Sequence, residues 1–100
     1  MNEGRHERRA KPRFPMELPI VISPSAALPE MAGTTRDVSS CGVFFYVDAW
    51  PERLSQIEFA LMFSESTCVS CRGRVVRVEE LVGTWMTGVA ATIDSHDLAN

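Results

Sequence analysis

Apolar and polar positions alternate along much of this chain, and no long run repeats with helical periodicity. The clearest case is residues 56–63, where Ile57, Phe59, Leu61 and Phe63 fall on one face of an extended segment. Leu18, Ile20 and Ile22 do the same over a first strand predicted at 17–23, and Pro19 inside it favours an edge or a bulge. Residues 24–33 read as a turn-rich loop ending at Gly33, and a second strand is predicted over 34–38. The run 43–47 is a short buried strand, ended by the Trp50-Pro51 segment. Residues 68–79 are long for one strand, and Gly73 marks a bend or bulge. Residues 80–83 form a hairpin tip, and 84–93 make the last strand. Asp94 or Ser95 could cap a helix, but the seven residues after Ile93 allow little more than a turn. Five to seven short strands with turn signals between them describe a small all-β barrel or sandwich.

Charge changes the picture more than composition does. One hundred residues suit one small domain, and the apolar share of 45% is ordinary for a globular one. The net charge of -3 is unevenly spread. Residues 1–15 hold Arg5, Arg8, Arg9, Lys11 and Arg13 against Glu3 and Glu7, whereas residues 16–100 carry five basic and eleven acidic side chains. The expected organisation is therefore a flexible basic arm over 1–15, stiffened by Pro12 and Pro15, and a barrel over 16–100. An acidic body repels a long polyanion while the arm attracts a small one, which argues against DNA or RNA binding. A single-strand nucleic-acid barrel would also need Lys or Arg interleaved with the aromatics, and Phe59, Leu61 and Phe63 have no such neighbours. No signal peptide or membrane span is legible, and an odd cysteine count of three fits a reducing compartment, so a cytoplasmic location is expected.

Two clusters carry candidate chemistry. The first is Arg8-Arg9-Ala10-Lys11-Pro12-Arg13, an RxxxR arm, and the second is Asp37-Val38-Ser39-Ser40-Cys41-Gly42, a DxSxxG turn. Arginine forks bind phosphate oxygens and the O6/N7 edge of guanine. A carboxylate such as Asp37 accepts from the N1–H and N2–H2 donors of guanine, which adenine does not present as a pair. Ser39 adds a hydroxyl on the same side of an extended segment, and Gly42 permits close backbone approach or positive φ. Each cluster has a plain alternative: a basic tail is commonly only solvated, and Asp-x-Ser-x-x-Gly is ordinary turn chemistry. Cys68 and Cys71 form a CxxC, but residues three apart on a strand face opposite sides and no further zinc ligands stand nearby. They read as small apolar fillers, and Trp50 and Trp85 as core or rim residues. Nothing assembles a nucleophile, a base and an orienting group, so no enzyme, metal or cofactor is expected.

In this order and strand context the two clusters resemble the PilZ family, whose members bind cyclic di-GMP. The resemblance extends through Gly42-Val43-Phe44-Phe45, the 73–78 segment and the 87–93 segment. It implies a six-stranded antiparallel barrel, with the usual C-terminal helix short or absent here. It implies that Arg9 and Arg13 are the arm's ligand-binding arginines and that Asp37, Ser39 and Gly42 line the barrel side. The basic residue before the motif, Arg8, would accompany a stacked pair of ligand molecules. An overlapping Arg5/Arg9 register also exists, but Phe14-Pro15 and the first strand follow the Arg9/Arg13 register at a family-like distance. The implied function is a cyclic di-GMP sensor whose arm orders on the ligand and which signals through a protein partner. The alternative is a PilZ-like interaction domain that needs no ligand. An uncovered barrel end would leave an apolar patch for a partner or a second subunit.

Overall fold

The computed structural model describes residues 13–24, 28–51 and 55–99. Its described strands are β1 (Phe14–Pro15), β2 (Pro19–Ser23), β3 (Met31–Val38), β4 (Gly42–Val47), β5 (Gln56–Met62), β6 (Cys68–Glu80), β7 (Thr87–Thr92) and β8 (Ser95–Ala99). Six of them run β3-β2-β5-β6-β7-β4, and β4 pairs back to β3, so an antiparallel barrel closes on itself. Short β1 adds to β3, and β8 adds to β6. No helix occurs among the described residues, and none there is long and apolar enough to cross a membrane.

Alternation does the work of the core. Ile20 and Ile22, Val43, Phe45 and Val47, Ile57, Phe59 and Leu61, and Val89 and Ala91 all point inward and pack as one cluster. Trp50 is half buried against this cluster, its ring edge-on to Phe45 at 5.9 Å, whereas Trp85 is largely exposed. Thr35 is the most deeply buried of the polar side chains among the described residues, and its hydroxyl is engaged on both sides. It accepts from the Leu18 N–H at 2.8 Å and donates to the Met16 carbonyl. The Thr35 N–H also donates to the Leu18 carbonyl at 2.9 Å. Thr35 thus fastens the link between β1 and β2 to the barrel wall.

Several sequence expectations shift. Pro19 is neither on an edge strand nor at a bulge. It opens β2, which is flanked by β3 and β5, and the β5 ladder begins only at Ile20 opposite Leu61. A proline N–H is therefore not missed there. The loop expected to end at Gly33 is shorter, because β3 begins at Met31 and Gly33 lies opposite Ile20. The irregularity expected at Gly73 lies instead between Val75 and Arg77, where Val76 is the extra residue against β7. Gly73 has a different job: a β-carbon there would stand 1.7 Å from the Thr92 carbonyl oxygen. The chain passes at that point from β7, beside Val75–Glu80, to β8, beside Cys68–Arg72. The residues after Ile93 do not start a helix. They continue as β8, tied on by the Asp94 N–H to the Arg72 carbonyl at 2.7 Å.

Candidate functional site

The pairing of β1 with β3 sets the site. Phe14 stands opposite Val38 and Pro15 opposite Asp37, so the end of the basic arm is laid against the strand that leads into the DxSxxG turn. Arg13 then reaches across, and its Nη1 donates to Asp37 Oδ1 at 3.1 Å. Its Nη2 lies 3.5 Å from where a Gly42 β-carbon would stand, with Ser39 Oγ 3.9 Å from the same point. Arg13 is therefore brought to Asp37, Ser39 and Gly42, which lie 24 or more residues after it in sequence. Arg8 and Arg9 lie outside the described residues. Phe14 and Pro15, expected to belong to the flexible arm, are already paired to the barrel.

The turn itself is built by Ser39. Its Oγ accepts from the N–H groups of Cys41 and Gly42 at 3.2 and 3.0 Å, and its own N–H donates to the Gly42 carbonyl at 2.8 Å. The hydroxyl expected to face a ligand is thus engaged in turn geometry. Gly42 does not use positive φ; among the described residues only Gly83, at the β6–β7 tip, does so. What Gly42 contributes is closeness, since a side chain there would also approach the Ala91 carbonyl.

Asp37 is only 9% exposed, and both its oxygens are engaged. Besides Arg13 on Oδ1, Arg36 Nε donates to Oδ2 at 2.7 Å. That hydrogen bond holds the Arg36 guanidinium above its ordinary value, against a smaller opposing effect of burial. Arg36 escaped the sequence reading. It is the extra residue of a bulge in β3, between Thr35 opposite Phe45 and Asp37 opposite Phe44. The signal was an arginine directly before the aspartate of the motif, but only the bulge turns neighbouring side chains to one target.

The site is an open surface beside the turn. Two clefts of about 680 and 690 Å³ border β5, β6 and β8, and neither includes Arg13, Asp37, Ser39 or Gly42. The cysteines give no second centre. Cys71 points into the core, and burial, then the nearby Cys68, pushes its thiol up to about 11. Among the described residues no cluster of three His, Cys, Asp or Glu side chains could hold a metal.

A family model described as PilZ domain matches residues 7–99, nearly the whole chain. The chain belongs to the PilZ domain family. No curated protein matches it in sequence. Among solved structures, the Bacillus subtilis inhibitor of motility (MotI/DgrA) superposes with a TM-score of 0.68 at 14% identity. The match covers 83% of this chain and 41% of that one, so this PilZ domain spans less than half of that protein's length. At that identity the likeness speaks for the fold, a six-stranded PilZ barrel.

Proposed function

We propose that this PilZ domain is a non-catalytic, cytoplasmic sensor that binds cyclic di-GMP and acts through a protein partner. The observation that carries the reading is the Arg13–Asp37 pair at 3.1 Å beside Gly42, which joins the two family motifs in one place. A compact dianion with guanine bases matches this chemistry. Arg13, joined by Arg9 and Arg8, supplies forks for phosphate and for the O6/N7 edge. Asp37 accepts from the N1–H and N2–H2 edge. Gly42 leaves room for the guanidinium, and Ser39 keeps the turn in shape. Asp37 already holds Arg13, so the ligand base exchanges for that arginine, which is released toward the ligand. The exchange is the switch: the arm's contacts differ between the two states, and the surface shown to a partner changes with them.

Isothermal titration calorimetry with cyclic di-GMP, and with cyclic di-AMP as control, tests the proposal. Selective binding is expected, with Arg13→Ala and Asp37→Ala each weakening it by about a hundredfold or more while the barrel stays folded. Two ligands per chain would agree with a stacked pair accompanied by Arg8. No binding by the folded protein would leave the ligand-independent interaction domain in its place.

A further inference from the structure

The register places Asp37 opposite Phe44, Phe44 opposite Ala90, and Ala90 opposite Arg77. Paired residues share a face, so these four form one row on the outside of the barrel. An outward phenylalanine should be exposed, yet Phe44 is only 1% exposed. It is covered from both sides. Below, its ring lies against Gly88, where a β-carbon would come within 2.6 Å of Cε1 and Cζ. Above, the Arg36 guanidinium stacks on the ring with Cζ 4.0 Å from the centroid, and Arg77 stands farther off at 5.9 Å. Arg36 is thus held at two points, by the ring and by Asp37 Oδ2.

The two arginines on Asp37 are consequently not equivalent. Arg13 stands just before two-residue β1 and bonds at 3.1 Å, and its side chain is about as exposed as that of Arg36, so the difference lies in how each is held. Arg36 is the adjacent residue, stacked in place, and bonds at 2.7 Å. Removing the only partner of a nearly buried carboxylate is costly, because the charge is left unpaired. With Arg36 remaining on Oδ2, Arg13 can leave Oδ1 without that cost. The carboxylate plane also stays fixed while a base arrives.

We propose that Arg36, clamped between Phe44 and Asp37, is the positioning residue that makes Asp37 exchangeable and sets its selectivity for the N2 amine of guanine. This rests on the cyclic dinucleotide reading above. Arg36 acts through Asp37. Its removal should therefore damage discrimination between bases, whereas loss of Arg13 should weaken all cyclic dinucleotides alike.

The test compares affinities for cyclic di-GMP and for its inosine analogue, which lacks the N2 amine, by calorimetry. The proteins are wild type, Arg13→Ala, Arg36→Met, Arg36→Lys and Phe44→Leu, each with its melting temperature recorded. Methionine keeps an apolar stem on Phe44 and removes the fork, and leucine removes the ring from under the guanidinium. The wild-type preference for cyclic di-GMP is expected to fall by about ten- to a hundredfold in Arg36→Met, the worth of one charge-assisted hydrogen bond. It should fall in the same direction in Phe44→Leu, recover only partly in Arg36→Lys, and persist in Arg13→Ala despite weaker binding. Wild type that binds, with an unchanged preference in folded Arg36→Met, overturns the role of Arg36 alone. Wild type that binds neither ligand overturns the cyclic dinucleotide reading and this inference with it.

Discussion

Thr35 illustrates how much one hydroxyl can hold. It serves the Leu18 N–H and the Met16 carbonyl at once, on both sides of Glu17. Thr35→Val keeps the shape and leaves both groups without that partner. A loss of about 1–3 kcal/mol is expected, read as a lower urea midpoint at unchanged m-value. Unchanged stability would mean that water replaces the hydroxyl. Cys71 gives a pH-dependent counterpart. Its thiol is raised to about 11 in the folded protein, so the folded state keeps a proton that the unfolded chain releases earlier. The associated stability is complete below the ordinary cysteine range and is lost as pH rises toward about 11. The unfolding midpoint should therefore drop over that alkaline window, and drop less steeply in Cys71→Ala. Parallel pH profiles for the two proteins would show that the thiol contributes nothing.

At the scale of elements, the β6–β7–β8 crossing depends on Gly73. A methyl group at 1.7 Å from the Thr92 carbonyl oxygen has no flexible side chain to displace, only backbone. Gly73→Ala should cost at least about 1–3 kcal/mol and loosen β8, seen as faster amide exchange at residues 95–99. Retained protection there would mean that the strands shift together at little cost. This position also shows what a sequence discloses. The alternation of Ile57, Phe59 and Leu61 and of Ile20 and Ile22 dictated strands with one buried face, and that much was legible. Gly73 was legible as special but not in its role, since a bulge and a close approach both call for glycine. The start of β3 was hidden because Met31-Ala32-Gly33 carries no strong alternation, and β8 because Ser95–Ala99 gains its strand character only by pairing with β6. At the site, Asp37 and Arg13 could be named from spacing. Arg36 and Phe44 could not, because their contact follows from a bulge and from a row of residues on four strands.

At the scale of the whole molecule, the closed ring limits how a signal can travel. Every barrel strand has a neighbour on both sides, and the inward apolar side chains form one continuous cluster, with Met31 and Val38 of β3 packed against it. Opening such a ring would break backbone ladders and expose that core, whereas β1 is held to β3 over only two residue pairs and by the Met16 N–H to the Arg36 carbonyl. The weakly held element is thus the one next to Asp37, and packed cores do not deform gradually. If cyclic di-GMP exchanges for Arg13 on Asp37, changes in amide chemical shift and hydrogen exchange should concentrate at residues 13–18 and 36–44. Residues of β5 and β8, whose sheet neighbours are β2 and β6, should remain as they were. A partner would then recognise the rearranged arm and turn, and Arg13→Ala would fail to switch even at saturating ligand. Ligand-induced changes at β8, for example at exposed Leu98, would instead show that the barrel itself relays the signal. The search for the partner's surface would then move to that side of the protein.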